Sequence, residues 1–94
     1  MPPLGIEVTK RFKRKAQSLS GEQLDQLDAA LRLLPGAFGQ PHQHSGLGVR
    51  RLKGGDYEFR IGRDIRVVFT LEDSTAILRM IGNHDDVRRY LKNL

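Results

Sequence analysis

Cysteine is absent from this chain, and so is any long apolar segment. Without cysteine there is no disulfide framework, no thiolate zinc site and no cysteine nucleophile, so the fold has to be held by its core. No apolar run approaches the roughly 20 residues that span a bilayer, and the Met-Pro-Pro start lacks the charged and apolar regions of a signal peptide. We therefore expect no membrane-spanning segment and a cytoplasmic location.

Length and charge limit what the chain is able to do. Its 94 residues, 38% of them hydrophobic, suffice for one small core, so we expect a single domain over residues 1–94. Lysine and arginine number 16 against 11 acidic residues, which gives a formal net charge of +5. This excess indicates a polyanionic partner, and nucleic acid is the first candidate. An acidic protein or an anionic membrane surface fits the same charge. The cations form two clusters in the sequence: Lys10, Arg11, Lys13, Arg14 and Lys15, and then Arg50, Arg51, Lys53, Arg60, Arg63 and Arg66.

Two neighbouring segments, 57–61 and 65–71, alternate between apolar and polar side chains. Alternation with a period of two predicts strands that turn one face to the core and the other to solvent. The short connection 62–64 predicts antiparallel pairing, with Arg60 and Arg66 on the same exposed face. Because arginine offers planar, bidentate donors suited to phosphate, this pair indicates an anion site. Arginines that merely solvate the sheet are the alternative interpretation.

The remaining patterns predict an α+β domain. Three helix starts are indicated: one at Thr9, one at the capping box Ser20–Gln23, and one at Asn83. The expected order is β-α-α-β-β-β-β-α, an antiparallel-rich sheet with two N-terminal helices on one face and a short C-terminal helix, the other face being left open. The predicted strands are 5–9, 49–53, 57–61, 65–71 and 75–81. The first predicted helix runs from 10 to about 19, the second from 20 to its end at Pro35-Gly36, and the third from 83 onward. A polar loop covers 36–48.

Several short phrases together resemble the RelE/ParE toxin superfamily. They are Leu52-Lys-Gly-Gly55, the run Tyr57–Gly62 followed by Ile65–Phe69, and the ending Ile81–Val87. The resemblance spans nearly the whole chain and is strongest from Leu47 onward. It implies a RelE-like fold and a toxin of a type II toxin–antitoxin pair, held inactive by a cognate antitoxin in a complex that is sometimes of higher order. It also implies cleavage of messenger RNA in the ribosomal A site without a metal or other cofactor.

The resemblance also assigns catalytic roles. The family's mid-strand arginine matches Arg66, its basic residue after the second strand's leucine matches Lys53, and the histidine or arginine past the final strand matches His84. RNA cleavage through the 2′-hydroxyl needs a base, cations that stabilise charge on the phosphate, and an acid for the leaving oxygen. Arg66 and Arg60 suit the second task, His84 suits either proton transfer, and Lys53 suits phosphate binding or, once deprotonated, proton acceptance. A capping histidine without a catalytic role is the alternative for His84.

A second group of residues is expected to bind RNA around these: Arg50, Arg51, Arg63, Arg79 and His44. Arg79 alternates with Ile77 and Ile81, which leaves its face undetermined. His42 and His44 are spaced like a metal pair, but no cysteine or carboxylate stands at a ligand-like spacing beside them, so no metal site is expected. Tyr90 lies in the region where the resemblance implies a catalytic or base-stacking aromatic, but its spacing with Leu91 and Leu94 favours packing in the core.

One departure from the family keeps other functions open. Asp85 and Asp86 stand where RNA-cleaving relatives have aromatic, basic and histidine residues, and carboxylates are unfavourable beside phosphate unless they cap their own helix. A ParE-like inhibitor of DNA gyrase without ribonuclease activity is therefore one alternative. A noncatalytic module that binds RNA or an antitoxin is another.

Overall fold

The elements of the chain follow the predicted order. A computed structural model describes the backbone of residues 5–37 and 48–93, and the side chains of 5–35 and 48–93. A single 3-10 turn, Lys53–Gly55, separates the second and third strands. The elements are β1 (Gly5–Val8), α1 (Lys10–Ala16), α2 (Gly21–Ala37), β2 (Arg50–Arg51), β3 (Asp56–Ile61), β4 (Ile65–Glu72), β5 (Thr75–Gly82) and α3 (His84–Lys92). The α+β prediction is confirmed, whereas most of the predicted loop 36–48 lies outside the described residues.

The five strands form one mixed sheet in the order β1-β5-β4-β3-β2. Strands β2 to β5 pair antiparallel along the chain, as their short turns require. The first strand pairs parallel with β5, with Gly5 opposite Thr75, so the N-terminal strand lies at one edge and β2 at the other. Because α1 begins directly after β1, it too lies against β5.

The main core lies between the sheet and the two N-terminal helices, as expected. The inward side chains of the predicted alternation, such as Phe59, Val67 and Phe69, are fully buried there. Phe12 of α1 and Leu34 of α2 close the cluster from the helix side. We call this side of the sheet the helix face. The opposite side carries Arg60 and Arg66 and is called the arginine face.

The arginine face is not open, which corrects the prediction. Helix α3 packs on it, and its Val87 forms a second buried cluster with Val68 of β4 and Met80 of β5. Gly82 permits this close crossing, since a Cβ atom there would lie 2.7 Å from the Cβ of Asp86. The amphipathic pattern of the last helix predicted that one side is buried, but the same pattern fits either face of the sheet.

Several element ends differ from the predictions. The strand predicted over 49–53 is only Arg50–Arg51, because the 3-10 turn takes Lys53 to Gly55. The prediction that Pro35-Gly36 ends the second helix is wrong, since α2 continues to Ala37. Proline in the last turn forgoes one backbone hydrogen bond close to where the helix would end anyway. Helix α1 ends at Ala16 rather than near Leu19. Within the described part of the chain, no helix is long and apolar enough to cross a membrane.

Candidate functional site

Arg60 and Arg66 lie on the same face of the sheet, as predicted, and directly opposite each other on β3 and β4. A pair of like charges in this position repels, and a buried carboxylate offsets the repulsion. Arg66 Nη1 donates a 2.8 Å hydrogen bond to Glu58 Oε1, and the two side chains are only 18% and 5% exposed. Arg66 is therefore held in place by an ion pair, whereas Arg60 is exposed.

A pocket opens beside this ion pair, where the β3–β4 turn meets the start of α3. Its volume is about 490 Å³. Arg66 and Arg63 line it together with His84, the first residue of α3. The remaining lining residues are Asp64, Asn83 and Asp85. We call this cavity the turn pocket, and it brings together three of the predicted site residues.

The start of α3 fixes His84 at the mouth of the turn pocket. Asn83 Oδ1 accepts a 2.8 Å hydrogen bond from the backbone N–H of Asp86, and Asp86 Oδ2 accepts a 3.0 Å bond from the N–H of Asn83. This reciprocal pair is the capping box of a helix N-terminus, which satisfies otherwise unpaired backbone donors. Asp86 is thus engaged with its own helix, whereas Asp85 lines the pocket. Of the two aspartates, only Asp85 is therefore an unfavourable neighbour for an RNA phosphate.

Lys53 is not brought into the turn pocket. It lies in the turn that leads into β3 at Asp56, and Asp56 pairs with Thr70, four residues along β4 from Arg66. Four strand residues span about 13 Å. The backbone of Lys53 therefore lies at the far end of the arginine face. The predicted catalytic role would require its side chain to act across that distance.

Arg79 points to the arginine face, at the same far end. In the β4–β5 register, Val68 pairs with Met80 and Phe69 pairs with Leu78. Arg79 is therefore the extra residue of a β-bulge, and its side chain lies on the same face as that of Met80. Arg79 Nε donates to Thr70 Oγ1 at 2.8 Å, and its Nη2 lies 3.5 Å from Glu72 Oε1. The simple alternation of the sequence was unable to reveal this bulge.

The other predicted RNA-binding residues are scattered. Arg50 lies opposite Glu58 and so belongs to the arginine face. Arg51 lies opposite Tyr57, whose ring packs against the main core, so Arg51 projects toward the helix face instead. His44, like His42, lies outside the described residues.

The turn pocket combines groups that bind phosphate with groups that transfer protons. Two guanidiniums line it together with the imidazole of His84, a side chain that is able to accept or donate a proton. Two carboxylates, Asp64 and Asp85, balance the guanidiniums. The pocket is consequently suited to chemistry on one phosphate more than to holding a long polyanion.

Glu58, the ion-pair partner of Arg66, was not predicted from the sequence. It alternates onto the arginine face with Arg60, and in the register that opposes Arg60 to Arg66 it lies diagonally from Arg66 on the next strand. Diagonal neighbours in antiparallel sheets lie within reach of long side chains. The register therefore carried the signal, although only the structure reveals that this carboxylate is buried.

Comparison with known proteins supports the fold on structural grounds alone. No family sequence model and no curated protein sequence matches the chain. Among solved structures, RelE in the RelB–RelE antitoxin–toxin complex from Methanococcus jannaschii is similar, at 15% identity and a TM-score of 0.68, over 89% of this chain and 96% of that one. YafQ from E. coli is similar at 13% identity and a TM-score of 0.70, over 89% and 97% of the two chains. The archaeal RelE of the RelE–RelB complex from Pyrococcus horikoshii has 18% identity and a TM-score of 0.68, over 87% and 96%. The chain therefore has the RelE-like toxin fold.

Proposed function

We propose that this protein is the toxin of a type II toxin–antitoxin pair and cleaves messenger RNA on the ribosome. The observation that carries the proposal is the turn pocket, in which Arg63, Arg66 and His84 converge on the sheet face of a RelE-like fold. Similar chains occur in complexes described as antitoxin–toxin, which supports a cognate antitoxin as partner. The site of action is then the cytoplasm, in the ribosomal A site.

The chemistry follows from what surrounds one phosphate in the turn pocket. Arg63 and Arg66 stabilise the charge that develops on the phosphate oxygens as the 2′-hydroxyl attacks. As the bond from the 2′-oxygen to phosphorus forms and the bond to the 5′-oxygen breaks, one of His84 and Asp85 removes the proton of the 2′-hydroxyl and the other protonates the leaving 5′-oxygen. The Glu58 ion pair contributes by keeping the Arg66 guanidinium in one orientation before RNA arrives, which lowers the cost of ordering it. None of these steps needs a metal.

The test has to separate the role of Arg66 in chemistry from its role in the fold. Removing Arg66 alone would leave the Glu58 carboxylate buried without its partner. The test variant is therefore Glu58→Gln/Arg66→Gln, in which both charges are lost and two neutral amides remain able to hydrogen-bond. Glu58→Gln alone is the matched control, because it keeps Arg66 and retains an acceptor oxygen for it.

The measurement is primer extension on an abundant transcript within minutes of induced expression in a bacterial host. We expect new cuts at defined codon positions with the wild-type protein and with Glu58→Gln, and none with the double variant. Growth arrest with intact transcripts would contradict the proposal and direct attention to DNA gyrase. Cleavage that is lost in the control as well would show that the Glu58 carboxylate itself is required, so that the double variant no longer isolates the role of Arg66.

A further inference from the structure

A second pocket lies on the other flank of α3, between that helix and α1. It has a volume of about 360 Å³ and is separate from the turn pocket, with which it shares no lining residue. Its floor is formed by Met80 and Tyr90. The remaining lining residues are Arg11, Lys15, Asp86, Arg89 and Asn93. We call this cavity the helix pocket.

Charge distinguishes the two pockets. The turn pocket sets two arginines against two aspartates, whereas the helix pocket sets Arg11, Lys15 and Arg89 against Asp86 alone. That carboxylate is already engaged, since its Oδ2 accepts the N–H of Asn83 in the capping box. None of the three cations forms an ion pair with a carboxylate in the described part of the chain. The helix pocket is therefore the site with uncompensated positive charge.

One of these cations is held in position. The Arg11 guanidinium carbon lies 5.5 Å from the centre of the Tyr90 ring, within the range of a cation–π contact. Tyr90 is itself partly buried against the cluster of Val68, Met80 and Val87. A guanidinium stacked on a fixed ring keeps its N–H donors free at the edge of the plane, where a phosphate is able to accept them. An apolar floor beside converging cations also suits a nucleotide, which has a flat base next to a charged phosphate.

We propose that the helix pocket anchors an RNA strand by its phosphates, apart from the turn pocket where cleavage takes place. This proposal rests on the proposed cleavage of RNA. It assigns most of the free energy of RNA binding to the helix pocket, outside the turn pocket. Five helical residues separate His84 from Arg89, a rise of about 7.5 Å and a rotation of about 140° around the axis. One strand passing over the first turns of α3 is therefore able to reach both pockets. Close packing at Gly82 holds α3 against the sheet, so the spacing between the pockets is fixed.

The chain offers a closely matched test. The pocket variant is Arg11→Gln/Lys15→Gln/Arg89→Gln, and the control is Lys10→Gln/Lys13→Gln/Arg14→Gln, which removes the same charge from exposed positions of α1 that do not line the pocket. Binding is measured by fluorescence anisotropy over a series of salt concentrations. The probe is a short single-stranded oligoribonucleotide with 2′-O-methyl riboses, which lack the hydroxyl needed for cleavage. His84→Gln serves as the catalytic comparison.

We expect the pocket variant to bind this RNA at least about tenfold more weakly, with its salt slope reduced by about 2, since each lost phosphate contact lowers the slope by about 0.7. The control should lose less than about threefold, and His84→Gln, which keeps every cation of the helix pocket, should lose less than the pocket variant. Equal losses in the pocket and control variants would overturn the proposal, because the effect would then follow net charge alone. No loss in the pocket variant, or no binding by the wild type, would also overturn it. So would equally tight, variant-sensitive binding of poly-glutamate, which would identify an acidic peptide as the ligand.

Because the probe cannot be cut, this result is independent of catalysis. If the wild type binds RNA through the helix pocket but no transcript is cleaved in cells, the anchoring site stands and the proposed nuclease activity fails. If transcripts are cleaved while the pocket variant binds normally, the nuclease activity stands and the anchoring site fails.

Discussion

At the scale of single residues, the same side chain serves the fold and the proposed chemistry. The sequence predicts Arg66 as a phosphate-binding residue on the same strand face as Arg60, and the shared face is confirmed. Its partner was not predicted. Glu58 is buried beside Arg66, and the alternation within β3 and β4 does not show whether a polar side chain on this face is buried or exposed.

This ion pair leads to a prediction about stability. Arg66→Ala should lower the free energy of unfolding by on the order of 3 kcal/mol, because it leaves a buried carboxylate without its partner. Glu58→Gln/Arg66→Gln should lower it by less, since no unpaired charge remains. Urea denaturation followed by circular dichroism measures both. If the single variant proved as stable as the wild type, Glu58 would have to be solvated or otherwise neutralised.

At the scale of elements, the sequence predicts helix starts better than helix placement. The caps at Thr9, Ser20 and Asn83 are all confirmed, because each depends on a residue only three positions away. The face on which α3 packs, the short β2 and the bulge at Arg79 were missed. All three are decided by contacts between distant parts of the chain, which local patterns do not encode.

Substitution at Gly82 tests the close contact between α3 and β5. Gly82→Ala should lower the free energy of unfolding by about 1–3 kcal/mol, since its Cβ would meet the Cβ of Asp86 at 2.7 Å and its Oδ2 at 2.8 Å. Gly21→Ala, at a helix start where nothing lies within 4 Å of the added Cβ, should be neutral or slightly stabilising. Thermal unfolding of the two variants side by side gives the comparison. Equal effects would mean that the first turn of α3 shifts freely.

At the scale of the whole molecule, the net charge of +5 indicated a polyanionic partner without saying where it binds. The structure gathers some of the cations at two surfaces, the arginine face and the helix pocket, on opposite flanks of α3. The two clusters seen in the sequence correspond roughly to these two surfaces. Arg89 joins the first cluster only through folding, and for that reason the helix pocket could not be predicted from sequence.

Engagement of both surfaces by one RNA strand has a measurable signature. Such a strand would make about six phosphate contacts, with Arg60, Arg63 and Arg66 on one flank of α3 and with Arg11, Lys15 and Arg89 on the other. At about 0.7 per contact, the logarithm of the RNA-binding constant should fall with the logarithm of salt concentration with a slope of about −4. A DNA duplex of the same length, being too stiff to follow the curve around α3, should give a smaller slope. Equal slopes for the two nucleic acids would argue against a strand wrapped around this helix.

The parallel pairing of β1 with β5 determines when the molecule is able to finish folding. The first strand and the last are joined across almost the entire chain, and closing so long a loop is slow compared with forming the β3–β4–β5 meander. Helix α1 packs on β5 and so has to wait for the same event. During synthesis the turn at Arg63 is therefore in place before Arg11 and Tyr90 ever meet. A nascent chain is therefore expected to pass through a stage at which the proposed catalytic residues are assembling while the surface proposed to hold RNA does not yet exist.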